Sequence, residues 1–210
     1  ASADANGEIR LWQMPGATPG PVLRSHQGAV RHCAFAQQPD ADGTWWLASA
    51  GENHTLRLWR LPDGQAGPML HGHTKEVISC AFMPSPAADG TLRLVSAGWD
   101  GSVRLWRVSD GAAERVLHTG KMGIFHLAIS PATGVNGACH VLISEFSGVT
   151  RSWRLPEGLP GPELHHGIQQ YAFLPHTTTD ALKVIGFDRY GSVRQWRFAD
   201  GTTELTHHQT

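Results

Sequence analysis

Tryptophan recurs in this chain at a fixed interval. Trp12, Trp59, Trp106 and Trp153 stand 47 residues apart, and Trp196 follows after 43. Each closes a similar phrase, NGEIRLW, NHTLRLW, DGSVRLW, SGVTRSW or YGSVRQW, so the register survives where the letters between have drifted. A self-similar period of this length restricts the chain to solenoids or propellers, because one unit buries its apolar side only against the next.

The remainder of the unit repeats as well. An Arg lies two residues before each of these tryptophans, at Arg10, Arg57, Arg104, Arg151 and Arg194. A Leu lies eleven after four of them, at Leu23, Leu70, Leu117 and Leu164, and a Gly five after four of them, at Gly64, Gly111, Gly158 and Gly201. Those glycines close turn phrases such as PDG, SDG, PEG and ADG. Between the turns the segments are short, alternating and rich in β-branched or aromatic residues, as in AVRHCAFA, TWWLASAG, EVISCAF and TLRLVSAG. They read as strands, with no helical periodicity. Four short antiparallel strands per repeat make one blade of an all-β propeller.

The third repeat, LHGHTKEVISCAFMPSPAADGTLRLVSAGWDGSVRLWR, resembles the WD-repeat (WD40) family, with Gly72 and His73 as its GH pair, then Ser96, Asp100 and Trp106. The likeness extends over essentially the whole chain. It implies a hydrogen-bonded tetrad of His73, Ser96, Asp100 and Trp106 that pins a blade, since a buried indole N–H, hydroxyl and imidazole each need a partner. The second repeat offers His26, Ser49 and Trp59 with Asn53 in place of Asp. In the fourth, Gly120 and Ser147 stand where His and Asp belong, and in the fifth Tyr190 replaces the Asp. Blades with such departures are expected to be held more by packing than by a tetrad.

One propeller region over residues 1–210 is expected, with repeats at approximately 1–25, 26–72, 73–119, 120–166 and 167–210. Because the first tryptophan arrives at residue 12, this count predicts four complete four-stranded blades and about half of another, a partial or open ring. WD-repeat rings of about four to eight blades usually seal by pairing strands from both termini. The expectation is therefore a piece of a longer propeller, with missing strands supplied by the rest of a parent chain or by another chain.

Composition limits the function classes. The formal charge of −1 argues against a field that gathers nucleic acid or acidic membrane. Nine of the fourteen arginines occupy two repeat positions, the five above and Arg60, Arg107, Arg154 and Arg197, so they are framework. There is neither an apolar run near the roughly 18 residues of a membrane span nor a charged-then-apolar leader. Three cysteines, Cys33, Cys80 and Cys139, lack CxxC spacing and cannot all pair, which fits a reduced, cytoplasmic compartment and small core side chains. The Asn53–Thr55 glycosylation triplet falls on a turn that repeats at Asp100 and reads as incidental.

Of the thirteen histidines, His71, His118, His165 and His208 each follow a tryptophan by twelve residues, one per blade around a rim and too far apart to share a zinc ion. No metal or cofactor is expected. No GxSxG, HExxH, GxGxxG or phosphate-loop motif is present, and the carboxylates Asp42, Asp63, Asp89, Asp110 and Asp200 belong to Asp–Gly turns or loops.

A propeller offers a rigid face on which loops from successive blades converge. The resemblance implies partner contact at the residue before the turn Asp and at two positions near the start of each first strand. Carried over, these are Ala29, Arg31 and Glu52 in the second repeat, Glu76, Ile78 and Trp99 in the third, Gly123, Phe125 and Phe146 in the fourth, and Gln169 and Arg189 in the fifth. Trp99, Phe125, Phe146 and Ile78 form the apolar anchors, a type enriched at hot spots; Arg31, Glu52, Glu76 and Arg189 would orient a partner. Phe146 has packing into the broken tetrad as its competing role. The resulting expectation is a non-catalytic protein- or peptide-binding scaffold or sensor module. Its Ala, Gly, Pro and Arg content with only three lysines resembles bacterial multidomain signalling proteins. The alternative is a propeller enzyme with a metal-assisted hydrolase site in the central channel, for which His32 and His126 are the nearest candidates.

Overall fold

The alternating segments form strands and the Asp- and Gly-bearing phrases turn them back, giving five antiparallel sheets in this computed structural model. The structure describes residues 1–24, 26–86, 89–131, 138–163, 168–174, 182–188, 192–198 and 203–207. Among them there is no helix. Leu164, His165, Arg189, Tyr190, Gly201 and His208, all named from the repeat pattern, lie outside the described residues.

The first sheet has three strands, β1 (Ser2–Ala3), β2 (Glu8–Gln13) and β3 (Thr18–Arg24). The second comprises β4 (Val30–Phe35), β5 (Trp45–Gly51), β6 (Leu56–Leu61) and β7 (Gln65–Leu70). The third comprises β8 (Val77–Phe82), β9 (Arg93–Gly98), β10 (Ser102–Arg107) and β11 (Ala113–Thr119). In the fourth are β12 (Ile124–Ile129), β13 (Cys139–Glu145), β14 (Thr150–Leu155) and β15 (Leu159–Pro160), and in the fifth β16 (Ile168–Phe173), β17 (Lys183–Asp188), β18 (Val193–Arg197) and β19 (Thr203–His207). Every strand pairs with its sequence neighbour, the meander of a propeller blade. The first strands β4, β8, β12 and β16 pack side by side, and β1 reaches β4 through the Val30 N–H, which donates to the Asp4 carbonyl at 3.1 Å. The ring is open: among the described residues no extensive packing joins the first sheet to the fifth.

The core lies between blades rather than within one. Ile9, Leu11 and Leu23 of the first sheet meet Leu47 and Trp59 of the second. Trp46, Leu56 and Leu58 meet Phe82, Leu94 and Trp106 of the third, whose Val95, Val103 and Leu105 meet Val141, Ile143 and Trp153 of the fourth. Leu142 in turn meets Tyr171, Val184 and Trp196 of the fifth. Each repeat tryptophan thus covers the blade before it, and its period is the period of blade-to-blade burial. Trp12 tests this logic. No described blade precedes it, and it is 40% exposed, whereas Trp59, Trp106, Trp153 and Trp196 are buried.

The cysteines pack into these same layers as free thiols, Cys80 and Cys139 buried and Cys33 partly so. Burial pushes the Cys33 thiol up to about 11 and that of Cys139 to about 12, with Cys80 displaced in the same direction. They are small core side chains with little thiolate character.

Candidate partner-binding face

Two blades are pinned by complete side-chain networks. In the third, the Trp106 indole N–H donates to Ser96 Oγ at 2.8 Å, Ser96 Oγ lies 2.8 Å from His73 Nε2, and His73 Nδ1 lies 3.0 Å from both carboxylate oxygens of Asp100. Because a carboxylate only accepts, Nδ1–H of the neutral imidazole donates to Asp100, Nε2 accepts from the Ser96 hydroxyl, and Ser96 Oγ in turn accepts the indole N–H. Burial alone would raise the Asp100 pKa. The His73 bond and the backbone N–H of Thr74 outweigh it and hold the carboxyl well below the usual carboxylate range.

The second blade has the same arrangement with an amide. Trp59 donates to Ser49 Oγ at 2.9 Å, Ser49 Oγ lies 2.7 Å from His26 Nε2, and His26 Nδ1 is 3.0 Å from Asn53 Oδ1. The expectation that this blade, with Asn53 in place of Asp, is held more by packing than by a tetrad is therefore corrected. A neutral carbonyl accepts the Nδ1–H as well as a carboxylate does, and Thr55 Oγ1 donates to the same Asn53 oxygen at 2.9 Å.

The fourth blade, expected to be held more by packing than by a tetrad, carries a different buried polar network in the tetrad's place. Gly51 and Gly98 occupy equivalent positions, and a Cβ at Gly98 would lie 2.9 Å from His73 Nδ1, while one at Gly51 would overlap His26 Nδ1. The next equivalent residue is Glu145, and the tetrad histidine is there Gly120. Loss of the imidazole opens the space into which the carboxylate folds. Buried Glu145 accepts from Arg151 Nε at 3.1 Å and from Ser147 Oγ at 2.9 Å, and lies 2.9 Å from His118 Nε2. The signal was visible as a coincidence of two departures 25 positions apart, Gly120 and Glu145, but nothing local connects them.

The face itself is aimed by bulges. Val30 and His32 pair with Gly51 and Ala50, which leaves Arg31 as the extra residue. Ile78, Phe125 and Gln169 are the corresponding extra residues of β8, β12 and β16. A bulge re-aims one side chain and increases local twist, so all four first strands turn this position out of the flat ladder. The turns are tied to the strand starts by equivalent bonds: the N–H groups of Glu52, Trp99 and Phe146 donate to the carbonyls of Ala29, Glu76 and Gly123 at 2.9, 2.9 and 3.0 Å.

Together these devices gather most of the sequence-predicted residues. Trp99 and Phe146 meet edge-on at 6.4 Å between ring centroids, and Phe125 and Phe146 at 5.3 Å. Trp99 is 39% and Phe146 56% exposed, so Phe146 does not fill the tetrad gap, which Glu145 occupies. Arg31 reaches across from the second blade, its Nε donating to Glu76 at 2.9 Å and its Nη2 lying 3.7 Å from Glu52, with the guanidinium 6.0 Å from the Trp99 ring centre. Glu52 also accepts the Ala29 N–H at 3.0 Å. Ile78 is half-buried in β8. Gln169 belongs to β16 by its backbone, and Arg189 lies outside the described residues.

The channel candidates stand apart. His32 Nδ1 lies 3.8 Å from Cys80 Sγ, and His126 meets Tyr171 edge-on at 4.7 Å. Burial first, and then the nearby His32, lower the His126 pKa to about 4. Neither imidazole is hydrogen-bonded to a carboxylate among the described residues, and no three His, Cys, Asp or Glu side chains there converge as metal ligands. No helix among them is long and apolar enough to cross a membrane.

Known proteins place part of this pattern. No curated protein matches the chain. The family model described as WD domain, G-beta repeat matches residues 17–60 and 65–107. Each matched segment begins in or beside the outer strand of one blade, β3 or β7, and ends just after the tryptophan of the next. The matched segments are the two whose blades carry the full hydrogen-bonded set, and the chain contains WD40 repeats built into a WD40-type open propeller.

Proposed function

We propose that the face carrying Trp99, Phe125 and Phe146 binds a protein or peptide, and that the chain serves as a non-catalytic scaffold or sensor module within a larger regulatory protein. WD40 repeats are generally interaction scaffolds, which supports the class. The observation that carries the reading is a contiguous aromatic patch, Trp99 and Phe146 exposed and Phe125 half-buried, at positions set by bulges and turns rather than by core packing. Large exposed rings in one patch are a cost in solubility that a partner relieves. Ile78, Glu76, Arg31, Glu52, Gln169 and Arg189 extend the same face. The first sheet presents an edge with only Ser2 and Ala3 paired to β2, and further propeller strands from a parent chain or a second chain would complete it. Three free thiols fit a reducing cytoplasm. The formal charge of −1 favours neither nucleic acid nor an acidic membrane. The hydrolase alternative needs converging ligands, and no observation among the described residues favours it.

Affinity capture from native lysate with this chain and a Trp99→Ala, Phe125→Ala, Phe146→Ala variant tests the assignment. The variant's melting must stay close to that of the parent. A partner retained by the parent and lost by the folded variant is the expected result; equal capture by both would remove the aromatic patch from the binding surface.

A further inference from the structure

Phe35 and Trp45 lie uncovered where the later blades are closed. In the register of the repeat they correspond to Phe82 and Leu92 of the third blade, Ile129 and Cys139 of the fourth, and Phe173 and Leu182 of the fifth. Phe82, Leu92, Cys139 and Leu182 are buried and Ile129 and Phe173 pack beside them, against side chains from the first two strands of the blade before. Phe35 and Trp45 are instead 49% and 46% exposed. Both stand on the side of the second blade that faces the first. Phe35 is two residues beyond Cys33 in β4 and Trp45 two before Leu47 in β5, and Cys33 and Leu47 pack into the seam with Ile9 and Leu11. The first blade meets this side with β1, two residues long, where the later blades bring two full strands.

The first blade also holds part of a hydrogen-bonded set. Ser2 pairs with Arg10 as Ser49 pairs with Arg57, and Ser2 Oγ accepts the Trp12 indole N–H at 3.0 Å as Ser49 Oγ accepts that of Trp59. Asn6 follows Ser2 at the spacing by which Asn53 follows Ser49. In the second and third blades the serine hydroxyl bonds a histidine 23 positions earlier, His26 or His73. Eight residues after each histidine comes a strand alanine, Ala34 or Ala81, that packs into the following seam, and Ala128 holds the same place in the fourth blade.

Resting on the reading that further propeller strands complete the first sheet, we propose that the occupant of this seam is a repeat segment covalently continuous with β1. It carries a histidine whose Nε2 accepts from the Ser2 hydroxyl and whose Nδ1–H donates to Asn6, a strand with Ala eight residues later, and the start of a second strand that runs into Ser2. The two strands cover Phe35 and Trp45, and removing those rings from water stabilises the addition. Register favours a joined segment over a separate chain. Ser2 and Ala3 are the counterparts of Ser49 and Ala50, late residues of the seven-residue β5, so the earlier part of the same strand would lead directly into Ala1.

Fusing a copy of residues 26–47 directly ahead of Ala1 sets the copied histidine 23 positions before Ser2, as in the second blade. Thermal melting and amide exchange are then compared among the chain itself, this fusion, a fusion whose copy carries His26→Ala, a fusion of the same residues scrambled, and the chain with the copied segment added as a free peptide. The intact fusion is expected to melt about 5 °C or more above the chain, with exchange slowed in β1 and β4. The His26→Ala copy should keep less than about half of that gain, and the scrambled copy none. A His26→Ala copy as effective as the intact one would overturn the histidine assignment and leave strand completion standing. An intact copy no better than the scrambled one would remove both. Free peptide at about 100 µM protecting as well as the fusion would move the occupant to a separate chain and overturn the covalent assignment.

Discussion

Glu145 shows how one side chain rewrites a repeat. Its two equivalents are glycines because a tetrad histidine fills the space, and it becomes a buried carboxylate only where that histidine is Gly120. The third blade already carries the other parts, since His71 and Arg104 are the equivalents of His118 and Arg151, and Asp100 that of Ser147. Gly98→Glu alone is expected to destabilise the protein by about 3 kcal/mol or more, through overlap with His73 and the Glu76 carbonyl and the burial of an unpaired charge. Adding His73→Gly and Asp100→Ser should recover most of that loss by recreating the fourth blade's set. Denaturant titration of the single and triple variants decides it, and a triple no more stable than the single would show that the two departures are not coupled. The neutral set of the second blade follows the same logic, because Asn53 keeps the acceptor that the His26 Nδ1–H requires.

Strands in this molecule matter as much for where they break register as for where they hold it. The bulge recurs at Arg31, Ile78, Phe125 and Gln169, one in each first strand of the second to fifth blades. Deleting Phe125 would remove the extra residue and set Ile124–Glu145 directly beside His126–Ser144, which keeps Ile124 on its side of the sheet but removes the local twist of the bulge and pulls Gly123 away from the Phe146 N–H. The expected outcome is a loss of roughly 2 kcal/mol or more, with amide protection falling first in β12 and β13. A Phe125→Ala substitution keeps the bulge and should leave that protection in place. Unchanged exchange in the deletion would mean that the bulge is not needed for pairing. The outer strand of the fourth blade is blunted by other means: β15 is two residues long and ends in Pro160, which has no N–H to offer a stray strand.

For the molecule as a whole, stability resides in the seams between blades. Each repeat tryptophan closes one seam, except Trp12, whose outer side faces no described blade. Trp106→Ala is expected to cost about 4 kcal/mol, because it empties the layer shared by the second and third blades. Trp12→Ala should cost less than about 1 kcal/mol. Comparable losses in urea unfolding would contradict the seam model. The same serial construction explains how neighbouring blades diverge in their polar networks without loss of the fold, since each needs to match only the blades beside it.

The period of the tryptophans, the turn phrases and the alternation between them sufficed to specify strands, blades and an open count, because each is a local pattern tied to covalent spacing; the third-blade tetrad was implied by the family resemblance of that repeat. The positions of the loop face came from the family resemblance, carried along the same register. Only the tertiary structure decided what meets across a seam or a turn. Asn53 completes a second set, Glu145 finds His118 and Arg151, Arg31 spans from one blade to Glu76 and Trp99 of the next, and Phe146 stands exposed rather than filling the gap beside it. Those contacts join residues dozens of positions apart, so they depend on the angle between blades and on the volume a missing imidazole leaves behind. A repeat pattern records neither.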